Sequence, residues 1–189
     1  MNKQNEQFAL GGEFYLIHER NGKVLMDTRD NPDHNIFVNE GLVYALNSAF
    51  GVSVGGAPSP YSNFYIGLST ANRTWQATDV AVDVHTVAAE FELYDESARP
   101  GWAPQALANV SAIELNDAGA EATYTISDLS GIGGTANVYG GFLISAAAKD
   151  GSQDATATLV AGANFASVRQ LYQGDVFKVG YVLKAENKV

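Results

Sequence analysis

Cysteine is absent from the 189 residues, which excludes disulfides and thiolate-bound metals and is compatible with a reducing compartment. Charge is also sparse. Asp, Glu, Lys and Arg together make up 17% of the chain, against roughly 25% in ordinary soluble domains. Basic residues are almost missing from the middle: between residues 30 and 148, only Arg73 and Arg99 stand against 13 acidic side chains. The ends hold the other nine basic and eight acidic residues, so the net charge of −10 divides into −11 in the middle and +1 outside it. Nucleic-acid binding needs clustered Lys and Arg, so no nucleic-acid partner is expected. Long apolar runs are lacking too. No stretch reaches the ~18 consecutive apolar residues of a membrane helix, and the opening MNKQNEQFALGG has no apolar run of signal-peptide length. The expectation is a soluble chain without a membrane partner, folded in the compartment where it is made.

What the chain does have is glycine (19 residues) and aromatic side chains (11%). With few charges, its surface is covered by Ser, Thr, Asn, Gln and Gly, a composition commoner in extracellular, fibrous and virion β-proteins than in cytosolic enzymes. The length suits one domain, divided in reading into an N-terminal arm and hairpin over 1–35 and a β domain over 36–189. A globule of this size buries roughly 70% of its unfolded surface and needs no covalent staples.

Period-two segments dominate. EFYLIHER (13–20) and KVLMDT (23–28) flank Asn21-Gly22, the strongest short signal for a type I′ hairpin. Pro32 then bars a central strand. NEGLVYALNSAF (39–50) is the one convincing helix: Leu42, Val43, Leu46, Ala49 and Phe50 share a face, Asn39 suits an N-cap and Gly51 a C′ residue. The expected packing is through Leu42, Leu46 and Phe50 onto a sheet edge or end. A Gly/Pro/Ser linker over 51–60 leads to the strand NFYIGLS, and 70–104 form an irregular excursion in which 91–94 are the better strand candidate. From 111 onward SAIELN, EATYTIS, NVYGGFLISA, TATLVAGANFASV and DVFKVGYVLKA alternate or run apolar between turn signals. One helix among so many strands argues for a mainly β fold, an antiparallel β-sandwich or jelly roll.

Motifs for chemistry are sparse, and neither catalytic residues nor cofactors are expected. His18, His34 and His85 lie far apart and in no metal-site spacing, so a shared site would have to be assembled by the fold. Asp27, Asp30 and Asp33 lack the alternate ligands, central glycine and terminal Glu of a calcium loop; a loose surface site is set against a polar loop with Asx turns. Gly131-Ile132-Gly133-Gly134 lacks the Lys-Ser/Thr of a phosphate loop. Glu90, Glu92 and Glu96 would suit a glycosidase pair only across a cleft, and acidic residues along an exposed strand are the commoner outcome. Two clusters stand out as partner-binding candidates: Arg73 with Trp75, and Arg99 with Trp102. Trp and Arg dominate binding hot spots, and irregular segments carry function; the alternative is that both tryptophans cap the core.

The order of short motifs resembles a family. N-x-G-L-x-x-x-L (Asn39, Gly41, Leu42, Leu46) precedes Y-I-G-L (Tyr65 to Leu68), then an R-P-x-W element (Arg99 to Trp102). G-G-F-L-I-S (Gly140 to Ser145), L-V-A-G-A-N-F (Leu159 to Phe165) and G-D-V-F-K-V-G-Y-V-L (Gly174 to Leu183) follow. Over residues 36–185 this is similar to small virion proteins of tailed bacteriophages. The resemblance implies a structural role in the virion after folding in the host cytoplasm. That role is capsid decoration, or else a head–tail, tail or glycan-binding tail component. The implied partners are the major capsid protein or other virion proteins, with the chain a homo-oligomer on the particle. A glycan hydrolase is the third reading.

Overall fold

Asn21 and Gly22 take φ of 51° and 72°, the two positive values that a type I′ turn demands. They join β1 (Gln7–Arg20) to β2 (Lys23–Asp27), with Arg20 opposite Lys23. The structure, a computed structural model, describes residues 7–50, 63–102, 114–115 and 121–188. β1 is longer than its alternation suggests. Residues 7–12, expected to lie in a loose arm, continue the strand and pair with β11 (Val176–Lys188), from Gln7↔Lys188 to Glu19↔Val176. Gly11 and Gly12 interrupt the side-chain pattern, yet backbone hydrogen bonding has no need of side chains.

β1 also borders β3 (Asp33–His34), and β11 borders β7 (Glu114–Leu115) and β8 (Ala122–Thr125), making a six-stranded sheet. The five-stranded sheet runs β4 (Ile36–Phe37), β10 (Leu159–Tyr172), β9 (Thr135–Ile144), β5 (Phe64–Ser69), β6 (Gly101–Trp102). Every pairing is antiparallel. The protein is thus mainly β, with two antiparallel sheets. Period-two residues from both sheets meet in one core: Phe14, Leu16, Phe177 and Tyr181 from the first, Leu68, Val138 and Leu143 from the second. Phe14 and Leu16 are fully buried, so the N-terminal segment shares its core with the rest of the chain.

α1 (Asn39–Phe50) occupies the span expected for it, but its seating differs. Leu46 is 58% exposed and Val43 56%. The contact is made by Gly41, where a Cβ would lie 2.4 Å from the Val160 carbonyl oxygen, so helix and strand touch backbone to backbone. Nor does Asn39 cap the helix. Val38 supplies the first carbonyl, accepting from Leu42 N–H at 3.0 Å, while Asn39 N–H donates to the Ala77 carbonyl at 2.7 Å. The Glu40 carboxylate accepts the N–H groups of Leu159 (2.9 Å) and Ala81 (3.1 Å), which fixes α1 to β10 and to the excursion. The Phe50 side chain, Gly51 and the 51–60 linker lie outside the described residues.

β9 is apolar on both faces. Leu143 points into the shared core, whereas Phe142 and Ile144 join Val38, Trp75, Ala81, Val84 and Leu159 in a second cluster. Successive strand residues face opposite ways, so the excursion is the cover over the outer face of this sheet. It contains a short helix, α2 (Asp83–Thr86), that the sequence did not announce. The strand expected over 91–94 is reduced to two isolated bridges, Ser69↔Glu90 and Tyr94↔Ile126.

Candidate functional site

The four side chains expected to anchor a partner point inward. Trp75 is 3% exposed; its ring lies 6.0 Å from that of Phe142 and against Gly162, where a Cβ would collide with it. The Arg73 guanidinium sits over the indole at 4.9 Å and binds Asp79 at 2.6 Å. Trp102 is 6% exposed, packs on Phe64 and Tyr181, and donates its Nε1–H to the Tyr181 carbonyl at 2.9 Å. The Arg99 side chain has no exposed surface. The four therefore form no docking surface. The reason is area: β9 presents apolar side chains on two faces, and the irregular excursion holds the large rings that cover the outer one.

Arg99 is the hub of a buried ion network. Its Nε and Nη2 donate to the Glu90 carboxylate at 2.7 and 2.6 Å, Nη2 also to Asp154 at 3.1 Å, and Nη1 to the Ala146 carbonyl at 3.0 Å. Burial pushes the Glu90 carboxyl up to about 7, against the downward pull of Arg99. Beside it, Lys149 Nζ donates to the carbonyls of Glu92, Tyr94 and Glu96 at 3.1, 2.9 and 2.8 Å. Two cations thus fasten the 90–99 segment to the 146–154 loop. That Arg99 is one of only two basic residues in the acidic middle was the sequence signal for such a pairing; Lys149 and Asp154 gave none.

The carboxylates considered for acid–base work are bound separately. Glu90 is held by Arg99, Glu96 accepts the Thr125 N–H at 3.1 Å, and the half-exposed Glu92 faces His85 at 3.5 Å. The histidines also go to three places: His85 to Glu92, His34 to Glu13 at 3.3 Å, and His18 to Asp175 at 2.8 Å. Asp27 pairs with Arg29, and Asp33 accepts the Ala166 N–H. Among the described residues no three His, Asp or Glu side chains gather as metal ligands. Asp175, which follows Gly174 in no motif for chemistry, is fully buried and accepts from His18, Arg20 and the Tyr172 N–H. Burial raises its carboxyl, but Arg20, Tyr172 and His18 outweigh that and hold it at about 2.

A cleft of about 560 Å³ opens beside β9 in the five-stranded sheet. Thr135, Ala136, Asn137 and Tyr139 of β9 form one wall with Ile132; Thr70 and residues 90–93 form the other. Asn137 and Ile132 are exposed, with Thr135 and Tyr139 half-buried. No motif marked this place, because it exists only where β5 parts from β9.

Comparison with protein-family models, curated proteins and solved structures finds no match. Among the described residues no helix is long and apolar enough to cross a membrane.

Proposed function

We propose that this protein is a non-enzymatic structural protein of a tailed-phage virion, a capsid decoration protein that binds and stabilises the head. We read its two sheets as a β-sandwich of jelly-roll type. The observation that carries the docking role is the outer face of α1. Val43 and Leu46, one helical turn apart, stand more than half exposed on a helix fixed from behind by Gly41 and Glu40. Aliphatic side chains held rigidly in solvent gain apolar burial on association while losing little ordering entropy. The resemblance of 36–185 to small phage virion proteins supplies the kind of assembly. The mechanism is passive: copies of the chain bridge neighbouring capsid subunits and add binding free energy against genome pressure. Folding in the host cytoplasm and assembly on the head as a homo-oligomer belong to the same proposal.

Co-sedimentation with emptied phage heads tests this. The chain is expected to pellet with heads, and Val43→Ser with Leu46→Ser to weaken binding roughly ten-fold at unchanged melting temperature. A chain that stays in the supernatant at every head concentration would refute the proposal. A tail or head–tail component with a glycan-binding groove is the second reading, favoured by Asn137, Thr135 and Tyr139 in the cleft; pelleting with host polysaccharide instead of heads would select it.

A further inference from the structure

The cleft beside β9 owes its existence to a strand that stops early. β5 pairs with β9 from Tyr65↔Ile144 to Ser69↔Gly140 and goes no further. Its next residues turn to another partner: Thr70 N–H donates to the Ala89 carbonyl and Ala71 N–H to that of Ala88. β9 nevertheless continues from Tyr139 back to Thr135, paired on its other side with β10 from Arg169↔Val138 to Tyr172↔Thr135. In an antiparallel strand, alternate residues direct their N–H and C=O groups to opposite neighbours. The side of 135–139 that β5 vacated therefore carries backbone donors and acceptors with no pairing strand among the described residues. Such an edge is a ready template for another strand.

The space in front of that edge has suitable dimensions. Ser69 pairs on one side with Gly140 and bridges on the other to Glu90. At that level β5 itself fills the two strand spacings, about 9.5 Å, between the walls, and the cleft opens past Ser69, where β5 turns away from β9. A strand residue occupies roughly 160 Å³ in a sheet, taking about 4.8 Å of width, 10 Å of thickness and 3.3 Å of rise. A cleft of about 560 Å³ thus holds roughly three to four residues. Its lining suits alternate side chains: buried Phe91 and Ala136 below, exposed Ile132 and Leu93 at the rim.

Charge narrows the occupant further. Glu92 lies in the wall with its side chain 38% exposed. The two arginines of the acidic middle are both turned inward onto Asp79, Glu90 and Asp154, and Lys149 is held by the carbonyls of Glu92, Tyr94 and Glu96. The carboxylate's own neighbour is the His85 ring at 3.5 Å, charged only if protonated, which an incoming cation would displace. We propose that this cleft is a strand-addition site. It takes an extended segment of another polypeptide, aliphatic at alternate positions and carrying a lysine or arginine that meets Glu92. Backbone hydrogen bonds to 135–139 supply register, and the side chains supply selectivity. This deepens the docking reading by naming the contact a partner protein would make.

The test uses the full chain, labelled with ¹⁵N, and a library of acetylated peptides in which Val, Thr and Lys alternate. The tightest binders are expected to shift the amide resonances of 135–139. N-methylation of every second peptide residue abolishes binding, while N-methylation of the intervening residues leaves it intact. Glu92→Gln is expected to weaken lysine-bearing peptides roughly two- to five-fold and to leave lysine-free ones unchanged. The proposal is overturned if no peptide shifts 135–139, if N-methylation acts without alternation, or if soluble glycans shift these resonances and peptides do not. Because no particle enters the assay, the two readings separate. Peptides bound in phase without affinity for heads keep the cleft and remove the capsid reading; heads bound without peptide shifts do the reverse.

Discussion

Replacing each tryptophan by phenylalanine separates two buried indoles that differ in one hydrogen bond. Both substitutions remove the same ring atoms from the interior, a transfer and cavity cost on the order of 1–2 kcal/mol. Trp102 in addition loses the bond from Nε1–H to the Tyr181 carbonyl, about 1 kcal/mol more. Trp75 has a buried Nε1 with no hydrogen-bond partner among the described residues. Removing a desolvated, unpaired N–H returns about 1–3 kcal/mol, which offsets most of its ring loss. Trp102→Phe is therefore expected to cost about 2–3 kcal/mol and Trp75→Phe at most about 1, a gap of about 2–4. Urea unfolding followed by far-UV circular dichroism measures both, with equal m-values as the check that the unfolded states match. Equal costs, or a larger cost at Trp75, would refute the assignment of these hydrogen bonds. Alanine at either position is expected to cost about 3–5 kcal/mol, so any loss of partner binding would accompany loss of the fold.

Asp175→Asn should remove about 2 kcal/mol near neutral pH, since the native carboxyl titrates at about 2 instead of 3.8. A depressed acid stabilises above its unfolded value, so the wild type loses this contribution as pH falls from about 4 to 2, and urea unfolding across that range should show a shallower slope in the variant. Glu90 has the opposite sign. Its raised pKa, about 7 against 4.5, gives stability present below about pH 4.5 and lost as pH rises through about 7, and melting curves of Glu90→Gln should lack that decline. Gly41→Ala should lower stability by about 1–3 kcal/mol in chemical denaturation despite the better helix propensity of alanine, because the new methyl meets the Val160 carbonyl; an unchanged midpoint would show that α1 does not rest on β10.

Local chemistry was legible in the sequence. Asn21-Gly22 can hardly be read other than as a two-residue turn, and the 39–50 periodicity locates α1 to the residue. The face of α1 was not legible, because the spacing of Leu42 and Leu46 fits a buried stripe equally well and gives no weight to a glycine that lets backbones meet. Whether the tryptophans face core or solvent was not legible for a related reason: large rings beside arginines compose interfaces and core covers alike. The deciding signal lay elsewhere, in the unbroken run Phe142-Leu143-Ile144. A strand apolar on consecutive residues needs cover on both faces, and the excursion was the segment free to provide it. The cleft left no trace at all, since it depends on where two strands part, a matter of register between residues some 70 apart.

The pairing of β1 with β11 also has a consequence for how the chain is made. Gln7 is opposite Lys188 and Glu19 opposite Val176, so β1 is translated well before residues 176–188 and acquires its main neighbour only after they have left the ribosome. Until then Phe14 and Leu16, fully buried in the finished molecule, are without their core. The hairpin through Asn21-Gly22 forms locally and covers one edge of β1 from Ile17 to Arg20, on the microsecond scale of hairpins. The other edge waits. Contacts this distant in sequence slow folding and prolong the exposure of a sticky strand, so yield during synthesis is set by how long that edge stays unpaired.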